Sequence, residues 1–240
     1  MPAPDPPLKQ RTVIRQASLV EAALQLAAQR SPADITTSDL AQAVGITQGA
    51  VFRHFPTKEA IWLAAMDWTT STLMQRLQAA AVAAQLPFES TPAASTGTLP
   101  NEAVTANTPL PDAPPAPGLP ALQAVFMAHV AFVVAYPGVP RVIFQELQQP
   151  QDTALKIRVR ALMQQYRALL MRLLLQAQSD NLIAPYADLT GASVLFIGSI
   201  QGLVMQSMMS GDVSAMTRLA PGVFDLVQRS LCTHPASQPV

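Results

Sequence analysis

Apolar residues return every three or four positions along most of this chain, and no segment alternates convincingly as a strand. Over residues 8–30, Val13, Ala17, Val20, Leu24 and Ala27 recur at helical spacing, with Glu21, Gln25 and Gln29 on other faces. Ser31-Pro32 breaks that helix. Thr36 caps the next, with Asp39 three residues on as a capping-box partner, and the helix runs to about Val44. Gly45 supplies the left-handed residue that ends it. Thr47 caps a third helix that Pro56 stops, and Thr57 opens a long fourth reaching about Leu86.

Residues 87–120 lose all period. They hold nine prolines and three acidic residues among Ala and Thr, a composition that predicts a flexible loop. Helices are expected again at Ala121–Tyr136, Pro140–Gln149, about Thr153–Ser179 and 188–210. Pro221 is expected to open the last one, ending near Cys232. The chain therefore reads as all-α with about nine helices. The expected domains are a head at 8–58, with its linker helix continuing to about 86, the loop at 87–120, and a helical bundle at 121–232.

Composition narrows the function. Half of the 240 residues are hydrophobic, 12% are charged, and the net charge is zero. Residues 1–70 balance as well, with six Lys and Arg against six Asp and Glu. A broadly basic, non-specific nucleic-acid binder is thus excluded, and any DNA contact must depend on where the charges sit. One cysteine, Cys232, excludes an internal disulfide framework and fits a reducing cytoplasm. Met1 to Pro7 lack the charge-then-apolar order of a signal peptide. His54, His129 and His234 lie far apart, so no metal site is expected. No cofactor is expected either: the chain has no Gly-rich phosphate loop, paired carboxylates or assignable Ser/His/Asp set, which argues against an enzyme. Gly191 to Ser210 is apolar enough to be a membrane span or a buried helix. Gln201 and Gln206 within it, without basic flanks, favour the buried helix and no membrane partner.

Candidate chemistry concentrates in Ile46 to Glu59. A short capped helix, a glycine turn and a second capped helix form a helix-turn-helix, whose second helix can enter a DNA major groove. Gly49 and Ala50 allow close approach of the backbone. Gln48 can pair with adenine, and Arg53 with guanine or phosphate. Thr36, Thr37 and Thr47 lie at helix starts, where hydroxyls and free N–H groups suit phosphate, and Lys58 adds a charge for the backbone. Val51 and Phe55 are expected to face the head's core. Phe52 and His54 complete the candidate surface. Taken singly, Arg53 is as readily a solvated charge and His54 a packed or capping histidine.

Residues 19–59 resemble the N-terminal domain of the TetR family of bacterial transcriptional regulators. The resemblance runs through Leu19 to Leu24, Thr36-Thr37, Leu40-Ala41, Val44 to Thr47 and Gly49 to Glu59. It implies an all-helical homodimer with DNA bound by the first three helices, helix four as link, and the remainder as effector pocket and dimer interface. Phe52 stands where the family usually has tyrosine, losing a phosphate-contacting hydroxyl. Ala27 replaces a customary core phenylalanine, and the usual arginine of helix one is displaced to Arg15 or Arg11.

In the second half, Phe126, His129, Val130 and Val133 share a face, as do Phe144 with Leu147 and Met163 with Tyr166 and Leu170. Each fits a core position. Together Phe126, His129, Val133, Phe144, Met163, Tyr166 and Leu170 can line a pocket, with His129, Glu146, Gln165 and Tyr166 as its polar groups. Such a pocket suits an apolar or amphipathic small molecule. Helix 188–210 carries two apolar faces, one with Leu195, Gly198, Gly202 and Met205. With Phe224, Val227 and Leu231 of the last helix, these are the candidate dimer interface. The function expected is a cytoplasmic, ligand-responsive homodimer that reads a near-palindromic double-stranded operator, most simply as a repressor. The alternatives are an architectural DNA-binding dimer without effector, or a helical enzyme or carrier with a vestigial head.

Overall fold

A computed structural model describes residues 8–85 and 119–232. Among the described residues the chain forms nine α-helices, one 3-10 turn and no strand. They are α1 (Leu8–Gln29), the 3-10 turn (Pro32–Asp34), α2 (Thr37–Val44), α3 (Gln48–His54) and α4 (Lys58–Gln85). After these come α5 (Pro120–Ala135), α6 (Gly138–Leu147), α7 (Ala154–Ser179), α8 (Leu189–Ser210) and α9 (Ala215–Leu231). The loop expected over 87–120 lies outside the described residues save for its last two. Leu119 and Pro120 start α5, one residue earlier than the pattern predicted.

Helices α1, α2 and α3 enclose the head's core. Leu19, Ala23, Ala27, Ile35, Leu40 and Val51 are fully or almost fully buried there, with Phe55 beside them. The alanine at 27 is buried like the larger residue it replaces. Arg15 is half-buried on α1. In the body, α5 is central and packs on α4, α7, α8 and α9. Phe126 of α5 meets Phe196 of α8 with ring centroids 5.2 Å apart, and Phe224 of α9 at 5.4 Å.

Two helix starts differ from the sequence pattern. Helix α6 begins at Gly138, so Pro140 is its third residue, where a missing N–H has no intrahelical acceptor to disappoint. Helix α9 begins at Ala215 and runs through Pro221. Its start is fixed by Asp212, whose carboxylate accepts from the Ala215 N–H at 3.2 Å and pairs with Arg218 at 2.8 Å. Its buried stripe is continuous through Met216, Ala220, Phe224, Val227 and Leu231, with Pro221 on the exposed side. Packing along that stripe outweighs the hydrogen bond that the proline removes.

Head and body meet at α6. Gly138 lies so close to α1 that a Cβ there would stand 2.0 Å from the Leu24 carbonyl oxygen. Gln145 adds a polar joint, its Oε1 accepting from Ser31 Oγ at 3.2 Å and from the Ala33 N–H at 3.3 Å.

Candidate nucleic-acid interface and effector cavity

The helix-turn-helix is built from caps. Thr36 Oγ1 accepts from the Asp39 N–H at 3.2 Å, while the Asp39 carboxylate accepts from the Thr36 N–H and hydroxyl, both at 2.7 Å. These bonds, with Arg30 at 2.8 Å, hold the Asp39 carboxyl at about 2. Gly45 ends α2 at φ 69°, the left-handed region that favours glycine, and turns the chain into α3. Thr47 caps α3 by accepting from the Ala50 N–H at 3.3 Å. Val51 and Phe55 bury into the head, which fixes which face of α3 looks outward.

On that outward side Thr36, Thr47, Gln48, Gly49, Phe52 and Arg53 are exposed, and Thr37, Ala50, His54 and Lys58 are half-buried. Gln48 Nε2 donates to Thr37 Oγ1 at 2.8 Å, so the starts of α2 and α3 are tied side by side. A Cβ on Gly49 would meet nothing within 4 Å. Packing inside the chain therefore does not require glycine there, whereas a surface docking against α3 would. Lys58 is held inward: its Nζ donates to the Ala33 carbonyl at 2.8 Å, and burial pushes its ammonium below the ordinary value. The His54 carbonyl accepts from Gln16 at 3.1 Å, and His54 Nδ1 is buried without a partner among the described residues. That histidine faces the head's interior as much as its surface.

Residues 19–65 match the sequence profile of the family described as bacterial regulatory proteins, tetR family. The chain belongs to this family. Over 64 residues it is 34% identical to the nucleoid occlusion factor SlmA of Marinobacter nauticus, covering 27% of the chain and 33% of that protein. The chain thus spans about a third of the length of the curated relative it matches. The whole fold resembles the fatty acid degradation regulator FadR of Bacillus halodurans, with a TM-score of 0.67 at 17% identity over 89% of this chain and 94% of that one. It also resembles FadR of Bacillus subtilis, solved in complex with stearoyl-CoA, with a TM-score of 0.66 at 17% identity over 90% and 98% of the chains.

In this tetR-family body, α5, α6, α7 and α8 enclose a cavity of about 470 Å³. Of the sequence candidates, His129, Val133, Phe144 and Met163 form part of its wall. Phe126 and Leu170 are fully buried away from it, in the bundle's core, and Tyr166 stands behind His129. Glu146 accepts a hydrogen bond from the Thr153 hydroxyl, and Gln165 is exposed outside the wall. Sequence periodicity missed the cavity's cations, Arg160 and Arg167, and its amide, Gln164, because exposed positions of α7 carry no hydrophobic signal. Arg160 is paired bidentately with Asp152 at 2.7 and 2.8 Å, whereas Arg167 has no ion-pair partner among the described residues. A second hollow, about 600 Å³, follows α1 beside Trp68 and Tyr136. Its wall is proportionally more polar, with Glu21 its one charged residue.

The candidate interface divides. Leu195, Gly198, Gly202 and Met205 are exposed on α8, beside exposed Val194 and Met209. Phe224, Val227 and Leu231 are 2%, 3% and 7% exposed and face the chain's own core, which corrects their assignment to a subunit contact. The amphipathic stripe of α9 turns inward onto α5 and α8, leaving Leu219 and Leu226 on its outer face. A stripe read from sequence does not say whether a core or a partner covers it. Helix α8 is long and apolar enough to cross a membrane, but its Phe196, Ile197, Ile200, Leu203 and Val204 face is packed within the bundle.

Proposed function

We propose that this tetR-family protein is a cytoplasmic homodimeric repressor, released from a near-palindromic operator by an amphipathic effector with an acyl-type chain. The reading rests above all on the outward face of α3, where Gln48, Gly49 and Arg53 are exposed while Val51 and Phe55 fix its orientation. Two such faces about 34 Å apart reach successive major grooves. The outer faces of α8 and α9, with Val194, Leu195, Met205, Leu219 and Leu226 exposed, support pairing of two copies. Residues 8–58 then form the DNA-binding unit and 121–232 the effector and dimer unit, joined by α4.

The cavity supports an effector-dependent mechanism over a purely architectural one. Its apolar wall suits a hydrocarbon chain, and Arg160 and Arg167 suit an anionic head. The fold it shares with a FadR solved with stearoyl-CoA supports the same class. Helix α6 contributes Ile143 and Phe144 to the wall and seats Gly138 and Gln145 on the head. A ligand that displaces α6 tilts the head and, through α4, changes the spacing of the two reading helices. Release requires that the ligand bind the tilted state more tightly, because equal affinity shifts nothing.

Selecting bound duplexes from a random pool with the full-length protein tests the reading. A recovered inverted repeat, displaced by a long-chain acyl-CoA, is the expected result. Absence of any enriched sequence at low salt overturns the DNA assignment. An inverted repeat that no acyl compound displaces overturns the effector assignment alone.

A further inference from the structure

Inside the cavity wall His129 is not alone. Its Nδ1 lies 3.0 Å from the Tyr166 hydroxyl, with ring centroids 5.2 Å apart and planes at 70°. Tyr166 is fully buried, and burial raises its phenol far above the ordinary value while pushing the His129 imidazole down to about 4. Both groups are neutral at pH 7, so one proton lies in the bond between them and the direction of donation remains to be assigned.

Two arrangements exist. If Nδ1–H donates to the phenol oxygen, the hydroxyl proton of Tyr166 needs a second acceptor. Tyr166 has no other hydrogen bond among the described residues, so that proton would be orphaned in the core. If instead Tyr166 donates to Nδ1, every buried proton of the pair is satisfied. The imidazole must then carry its own proton on Nε2. Nε2 is not among the buried atoms without partners, which are His54 Nδ1 and Thr69 Oγ1, and no protein group pairs with it. Since His129 forms part of the wall, Nε2 opens onto the cavity.

We propose that His129 is the specificity-determining donor of this cavity, with Tyr166 as its positioning residue, and that together they select an effector bearing a carbonyl oxygen within its apolar portion. Phe132, Val133, Ile143 and Phe144 surround the donor with hydrocarbon, so the acceptor must be flanked by carbon as in a thioester, ketone or amide. Gln164 and Arg167, further along α7, take the polar remainder of the ligand. The inference rests on the effector reading above and narrows it from a hydrocarbon chain to an acyl group recognised at its carbonyl.

The test compares two ligands on the full-length protein, palmitoyl-CoA and S-hexadecyl-CoA, which differ only in the thioester carbonyl. The native protein is expected to bind the thioester about tenfold tighter than the thioether. His129→Phe should bring the two affinities together while leaving the thioether affinity in place. Tyr166→Phe should shrink the difference, and in 15N-histidine spectra it should move His129 from a single Nε2–H tautomer to a mixture. Equal affinities for the two ligands in the native protein overturn this inference and leave the effector reading standing. Binding of neither overturns both. A His129 that carries its proton on Nδ1 in the native spectrum overturns the positioning role of Tyr166.

Discussion

Replacing Gly138 by alanine sets one methyl group against the joint between head and body. The added Cβ would stand 2.0 Å from the Leu24 carbonyl oxygen and 2.9 Å from the Ala28 nitrogen. Both are backbone atoms of α1, so no side chain can rotate away. Ordinary contact begins at 3.4 Å. The start of α6 must therefore retreat by roughly 1.4 Å, in a region where overpacking costs about 1–3 kcal/mol. Val139, Pro140 and Val142 are buried beside this contact and move with it. In urea the midpoint should fall by about 1 M, at a slope of about 2 kcal/mol/M. The assay is equilibrium unfolding followed by circular dichroism at fixed protein concentration, because dimerisation shifts apparent stability. Gly49→Ala is the control: its Cβ meets nothing within 4 Å, so stability should hold or rise while operator affinity falls. An unchanged midpoint for Gly138→Ala would refute the close approach of α6 to α1 and, with it, the route from cavity to head.

Four further outcomes are expected. Arg53→Ala and Gln48→Ala should each relax base preference at one operator position, by about 1–3 kcal/mol where a bidentate pair is lost, with fold and dimer intact; duplex selection with each variant checks this, and unchanged preference in both removes the base-contact assignment. Thr36→Ala should cost about 1 kcal/mol by opening the α2 capping box, read as a lower unfolding midpoint. His129 is neutral in the fold with its pKa lowered to about 4, whereas in the unfolded chain it protonates near 6.5. The unfolded state therefore binds more protons between these values, and stability should drop as pH falls from 7 toward 4, by about 2 kcal/mol at pH 5; His129→Phe should flatten that part of the stability profile. Leu226→Asp should yield folded monomers in sedimentation, whereas Phe224→Asp should prevent folding, because the first lies outside the chain's core and the second within it.

The head was legible because its information is local. Thr36 with Asp39, Gly45 and Thr47 are each read within four residues, and the structure forms those caps. The body's helices were legible by period, but their partners were not. Phe224 and Leu226 are both apolar on one helix, and only the position of α5 decides that Phe224 is core. Pro221 misled because its local preference for a helix start yields to a stripe extending from Met216 to Leu231. Arg160 and Arg167 were invisible for the opposite reason: an exposed arginine on a helix looks like solvated surface until a cavity is seen beside it.

The capping of the head has a consequence for how the protein finds its operator. Arg30 is engaged by Asp39 and Lys58 by the Ala33 carbonyl, so two of the head's cations are occupied within the chain before DNA arrives. Few remain to displace counterions, and each phosphate contact contributes only about −0.9 to the salt slope. Residence on arbitrary sequence should then be brief, and the search should proceed mainly by three-dimensional diffusion with little sliding. A regulator of this kind loses few copies to the bulk of the chromosome, and its occupancy should vary little as intracellular potassium changes.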